Sequence, residues 1–158
     1  MELEDLKSMD IQIRPYENKD KELLLDLLRL NIPTYFHPNE LEDLANYLDK
    51  ETEDYFVLEV NSNLLASGGI NYDEDGHTAK ISWDIVHPEY HKKGLGSRLL
   101  IHRLACIRSK PSIEKITVRT SQFADQFYGK HGFQEFDRQK NYWAEGYDLV
   151  SMEFQPII

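Results

Sequence analysis

The sequence predicts a mixed α/β (α+β) domain: a central, mostly antiparallel sheet of six to seven strands, with about four helices on its two faces. Three observations carry this. Apolar residues alternate in short runs and recur at helical spacing in longer ones. Three strand-like runs follow one another with only turns between them, as antiparallel neighbours do. Single helical segments separate the later strands, as crossovers do. At 158 residues the chain has the length of one domain and an apolar share able to fill one core. A single domain over 1–158 is expected, with 1–8 as a flexible N-terminal extension.

Ile11 and Ile13 alternate with Gln12 and Arg14 as in a half-buried strand, which Pro15 ends. From Asp20, Leu23, Leu24, Leu27 and Leu28 recur at helical spacing, with Asp20 and Glu22 at the end that favours negative charge. After NIPTYFHP, Asn39 and Glu42 have capping-box spacing, and Leu41, Leu44, Ala45 and Leu48 form a second apolar stripe. YFVLEV (55–60) and LLASGGI (64–70) flank NSN as a hairpin, and DEDG leads into a third strand, HTAKISWDIV (77–86). Leu99, Leu100, Ile101, Leu104 and Ile107 predict a helix from about Leu95 to Ser109. A short strand at Lys115 to Arg119 follows, then a helix at Asp125 to Lys130 that Gly132 stops through a left-handed backbone. Strands at 133–137 and 149–154 complete the chain.

A formal charge of -10 opposes a nucleic-acid partner, which needs clustered cations to neutralise phosphates. No run of about 18 apolar residues occurs, and MELEDLKSMD is acidic and polar, so neither a membrane span nor a secretory signal is expected. A cytoplasmic location follows as the default. Cys106 is the single cysteine, which excludes an intramolecular disulfide, and it sits where a small buried hydrophobe belongs. His37 and His77 lack metal-ligand spacing, so no metal is expected. Against the acidic background, His91, Lys92, Lys93, Arg98, His102, Arg103, Arg108 and Lys110 crowd one segment, where a small anion finds a local site.

That segment, HPEYHKKGLGSRLL (87–100), joins a strand to a helix through glycines. The N–H groups of a first helical turn are unpaired and carry the positive end of the macrodipole, so a pyrophosphate fits there. GLG alone also reads as an ordinary glycine turn. A P-loop is excluded because GLGSRLL lacks its spacing and lysine; a Rossmann fingerprint is excluded because Leu99 stands where a third glycine belongs.

WDIVHPEYHKKGLGSRLL resembles the acyl-CoA-binding motif of the GNAT acetyltransferase superfamily: a strand ending in Val-x-Pro, then Gln or Arg, two residues, Gly, one residue, and Gly or Ala. FYGKHGF (127–133) resembles that superfamily's FYxxxGF element at the expected distance downstream. The resemblance implies a GNAT-like fold and an N-acetyltransferase that moves acetyl from acetyl-CoA to a primary amine by direct attack. It implies that the backbone of Lys92, Lys93, Gly94, Leu95, Gly96 and Ser97 holds the CoA pyrophosphate. Ile85 and Val86 would meet the pantetheine arm and acetyl carbonyl, and Tyr128 would be the general acid. His91 stands in place of the usual Gln or Arg, and Ser121 stands where many members carry a cofactor-contacting Asn, with Gln122 a substitute. Lys80 and Ser82 occupy positions where some relatives place a base. Asp84 and His87 are the remaining base candidates, beside a water relay. Trp83, Tyr35, Phe36, Tyr142 and Trp143 are candidate walls of an acceptor pocket. The partners implied are acetyl-CoA and an amine, small molecule or peptide, without nucleic acid or membrane; a homodimer is left open. The alternative is a module that binds or senses acyl-CoA without turnover.

Overall fold

The computed structural model describes residues 9–155; the expected extension at 1–8 lies outside them. Strands β1 (Ile11–Pro15), β2 (Asp54–Val60), β3 (Asn63–Tyr72), β4 (Thr78–Val86), β5 (Lys115–Thr120), β6 (Phe133–Ala144) and β7 (Tyr147–Phe154) form one sheet in the order β1-β2-β3-β4-β5-β7-β6. Every pairing is antiparallel except β4 with β5. The helices are α1 (Lys21–Arg29), α2 (Glu40–Lys50), α3 (Leu95–Arg108) and α4 (Asp125–Lys130). This is the mixed, mostly antiparallel architecture that the sequence predicts.

Alternation along the strands assigns the faces. Tyr55 and Val57 of β2 meet the leucines of α1 and α2 on one side. Leu58 and Val60 meet Leu95 and Leu99 of α3 on the other. Further along the α3 face, Ile70, Ala79, Ile81, Val118 and Val150 pack under Leu100, Leu104 and Tyr128. Cys106 is half-buried against that cluster. No helix among the described residues is long and apolar enough to cross a membrane.

Four expectations are corrected. In α1 the buried stripe is Leu24, Leu25, Leu27 and Leu28, while Leu23 is 55% exposed. In α3 the roles of Ile101 and Arg103 are exchanged: Ile101 is 58% exposed and Arg103 is 0% exposed. Arg103 therefore leaves the solvent-facing basic cluster. The Asn39 side chain makes no capping bond; the Glu40 carboxylate instead accepts the His37 N–H at 2.9 Å, two residues earlier than the expected pair. Finally, β6 runs to Ala144 and β7 starts at Tyr147, beyond the predicted 133–137 and 149–154. The outer strand β6 is exposed over residues 134–142, so both faces are wet and no alternation marks it.

Arg14 on β1 holds the entry to α1. Its guanidinium forks onto the Asp20 carboxylate, with Nη1 to Oδ2 at 2.8 Å and Nη2 to Oδ1 at 2.9 Å, and the Glu17 N–H adds a third donor at 2.9 Å. The Arg14 bond outweighs burial and holds the Asp20 carboxyl below its ordinary value. A depressed folded value contributes stability that is present above the usual carboxylate range and is lost as pH falls through it. Asp20→Asn should therefore cost about 2 kcal/mol at neutral pH. Urea unfolding should show the gap from wild type closing below a pH of about 4.

Candidate active site

The site begins where two parallel strands part. β4 and β5 pair only from Thr78 with Lys115 to Ile81 with Val118. Beyond that point residues 82–86 keep β3 as their strand neighbour and turn the other edge of β4 to an opening.

A bulge in β4 lies at this opening. Ser67 pairs with Ile85 and Gly69 with Ser82, so Trp83 and Asp84 together oppose Gly68. Trp83 adopts φ +48, the kink that takes up the extra residue. The bulge changes the parity of the strand. Ile81 faces α3, but after the bulge Trp83 and Ile85 face α1 and α2, and Asp84 faces α3.

Both faces hold the bulge. From the α1–α2 side, the buried Tyr55 hydroxyl donates to the Trp83 carbonyl at 2.9 Å and lies 3.0 Å from Ser67 Oγ. From the α3 side, Arg103 Nη2 donates to Asp84 Oδ1 and the Tyr128 hydroxyl donates to Asp84 Oδ2. The other Arg103 donors are also placed: Nε on the Leu99 carbonyl at 3.2 Å and Nη1 on the Gly69 carbonyl at 3.0 Å. Tyr128 is 3% exposed, and burial followed by the charge of Asp84 raises its pKa well above 10, with Arg103 opposing part of the rise.

The end of β4 is held by side chains. The Val86 carbonyl accepts from Asn31 Nδ2 at 3.2 Å and from His91 Nε2 at 2.9 Å. A carbonyl has no proton to give, so Nε2 of His91 carries the hydrogen. The His91 ring also meets Tyr35 edge-on at 4.8 Å. The His87 N–H bonds back to Leu65 on β3 at 2.8 Å, so strand alternation turns the Val86 N–H, with its carbonyl, toward the opening.

The cradle follows directly. Lys92 (φ +63) and Gly94 (φ +90) turn the chain through left-handed conformations, and the ladder of α3 opens with the Arg98 N–H on the Gly94 carbonyl at 3.1 Å. The N–H groups of Leu95, Gly96 and Ser97 precede that ladder. A Cβ at Gly94 would meet nothing within 4 Å, so the cradle is open there, with Lys92 and Arg98 exposed alongside. Gly96 differs: its Cβ would press on Phe127 at 3.3 Å, so this glycine serves the packing of α4 against α3. Ser97 Oγ lies 2.9 Å from Nε2 of His131, whose pKa burial lowers.

Other sequence-predicted residues have different neighbours. His87 Nδ1 accepts the Glu89 N–H at 3.2 Å and caps the turn after β4. Ser121 Oγ accepts the Phe123 N–H at 3.3 Å at the approach to α4. Gln122 is tied to the β6–β7 turn through Gly146 and Asp148. Lys80 reaches Asp73, and the Ser82 hydroxyl bonds the Lys80 carbonyl. Phe36 stacks on Trp83, whereas Tyr142 and Trp143 flank the Arg119 guanidinium at 5.1 and 5.4 Å. Tyr35, Phe123 and Tyr147 form a chain of edge contacts, and the Tyr147 hydroxyl donates to the Pro33 carbonyl, joining the segment between α1 and α2 to the β6–β7 turn. No cluster of three or more His, Cys, Asp or Glu side chains suited to a metal occurs among the described residues.

The structure thus brings Val86, His91 and the cradle together at one opening, with Asp84 and the buried Tyr128 joined to each other on the α3 side of the bulge. Sequence reasoning missed Arg103 and Asn31. Arg103 carried a signal, since it falls four residues after Leu99 within the buried stripe of α3.

Residues 28–156 match the family model described as an acetyltransferase (GNAT) domain, and the chain belongs to that family. A putative GNAT-family acetyltransferase from Desulfovibrio desulfuricans superposes with a TM-score of 0.78 over 92% of this chain and 99% of its own, at 16% identity. The PaiA N-acetyltransferase of Thermoplasma acidophilum, in complex with coenzyme A, superposes at 0.72 over 94% of this chain and 100% of its own, at 18% identity. At these identities the likeness is one of fold. The UPF0157 protein YqkA of Bacillus subtilis (strain 168) is 24% identical over 133 residues, 78% of this chain; the match spans 38% of that protein's length.

Proposed function

We propose that the protein transfers an acetyl group from acetyl-CoA to a primary amine by direct attack through a tetrahedral intermediate. The observation that carries this reading is the opening between β4 and β5 beside the N-terminus of α3, with Val86 N–H and the cradle N–H groups on its border. The backbone from Lys92 to Ser97 would hold the pyrophosphate of CoA, with Lys92 and Arg98 supplying positive charge. Ile85 and Val86 would lie along the pantetheine arm, and the Val86 N–H would donate to the developing oxyanion, a role typically worth about 3 kcal/mol of barrier.

Tyr128 would serve the departing sulfur. A thiol near 8.5 holds its proton less tightly than a phenol near 10, and Tyr128 is raised further. Its role is that of a hydrogen-bond donor stabilising the thiolate, with the proton remaining mostly on oxygen. Both oxygens of Asp84 are engaged and His87 Nδ1 is a turn cap. The amine would therefore arrive already neutral or lose its proton through water. The aromatic chain of Tyr35, Phe123 and Tyr147 is the proposed wall on the acceptor side, open to a small amine or a peptide end.

Engagement of both base candidates is also what an acyl-CoA-binding module without turnover would show. Amine-dependent thiol release from acetyl-CoA separates the two readings: release with at least one class of primary amine supports transfer, and CoA binding without release supports the module. Gly94→Val places a β-branched residue at φ +90, which costs about 1–3 kcal/mol of local strain and disturbs the cradle. Titration calorimetry should show CoA affinity reduced about tenfold, the equivalent of about 1.4 kcal/mol.

A further inference from the structure

We infer that Arg103 and Asp84 form a positioning pair for the transfer reaction, acting through the hydroxyl of Tyr128. This rests on the acetyltransferase reading above. Arg103 has a cation's full desolvation cost and no exposure, on a helix whose apolar Ile101 faces water instead. An arginine so placed is retained only if its donors are used, and all three of its nitrogens are: two on the Leu99 and Gly69 carbonyls and one on Asp84. The carboxylate is thereby fixed in rotation, and its second oxygen accepts the hydrogen bond from the Tyr128 hydroxyl.

The direction of that proton has a chemical consequence. At rest the O–H vector of Tyr128 points at Asp84, so its lone pairs face elsewhere. To donate to a departing sulfur the hydroxyl must turn away from the carboxylate. Arg103 keeps the carboxylate charge compensated while it does so. The groups that bear on the phenol are Asp84 on β4, Arg103 on α3 and Tyr55 on β2. Of these, Asp84 strengthens the hold of Tyr128 on its proton, and Arg103 weakens it. The pair therefore anchors the phenol oxygen in place and keeps its proton on it until the departing sulfur draws the hydroxyl round; without Asp84 that anchor is lost. Neither Asp84 nor Arg103 needs to touch substrate.

A double-mutant cycle on the full chain tests this. Asp84→Asn and Tyr128→Phe should each lower kcat tenfold or more, with KM for acetyl-CoA changed less than about threefold. In the Tyr128→Phe background, adding Asp84→Asn should cost little further kcat, because the residue it acts through is already gone. In protein labelled with 13C at tyrosine Cζ, Asp84→Asn should make Tyr128 titrate at lower pH than in wild type. Should Asp84→Asn fail to fold, Arg103→Met combined with Asp84→Asn removes both charges together, and that pair takes the place of Asp84→Asn in the cycle with Tyr128→Phe. Losses that multiply in the double variant, or a Tyr128 resonance that Asp84→Asn leaves unmoved, would overturn the positioning role alone. Absence of amine-dependent turnover by the wild-type protein would overturn the acetyltransferase reading and this role with it.

Discussion

Gly68→Ala is expected to lower stability by about 3 kcal/mol, where alanine in place of a strand glycine ordinarily gains about 0.5–1 kcal/mol. A Cβ at this position would stand 2.2 Å from Asp84 Oδ1 and 2.8 Å from both Cζ and Nη1 of Arg103. These are side-chain atoms, which elsewhere move aside cheaply. Here Arg103 is fully buried and fixed by the Leu99 and Gly69 carbonyls, and Asp84 is fixed by Arg103 and Tyr128. Relieving the clash means separating a buried ion pair. Gly129→Ala supplies the control, because nothing lies within 4 Å of its Cβ and the residue sits inside α4. There alanine should be neutral or should stabilise by about 0.5–1 kcal/mol through helix propensity. Urea unfolding of both variants measures the contrast; Gly68→Ala within about 0.5 kcal/mol of wild type would contradict the packing of the pair against β3.

Tyr128→Phe should produce the largest effect on turnover that leaves the cofactor site intact. The expected loss is tenfold to a hundredfold in kcat, the lower part of the range for a group that assists proton movement in a transition state. Affinity for CoA should change little, since the ring keeps its place in the cluster under α3 and the cradle lies on another segment. Stability should fall modestly, by about 1–2 kcal/mol, because Asp84 loses one of its donors. Steady-state kinetics with acetyl-CoA as the varied substrate gives the split directly. Unchanged kcat would remove the hydroxyl from the mechanism and would leave Tyr128 a packing residue.

Much of the scaffold was legible because its signals are local. Alternation in β2 and the leucine periods of α1 and α3 come from one-sided burial, and the glycine at position 94 was marked by a strand before it and a helix after it. The centre of the site was less legible because its signals are relational. Asp84 stands in a strand whose regular alternation would point it to the α1–α2 side; the bulge at Trp83 reverses this, and nothing local to WDIV announces a bulge. Arg103 reads as one more cation in a basic segment until Asp84 is turned toward it. The two glycines of LLASGGI were the nearest thing to a warning, since a strand interior gives up side chains only where something must approach closely. Gly68 admits the Asp84–Arg103 pair and Gly69 admits the ring of Tyr55. His91, a departure from the family motif, is likewise explained only in three dimensions, by its bond to the Val86 carbonyl.

On the proposed reading, the opening between β4 and β5 carries out transfer and does more than bind. The most direct test incubates the wild-type protein with acetyl-CoA and a panel of primary amines, from small polyamines to peptides with free N-termini, and follows free thiol and acetylated amine together. Acetyl transfer predicts that the two products rise in equal amounts and only when a suitable amine is present. Saturable CoA binding with no amine-dependent thiol release across the panel would contradict it.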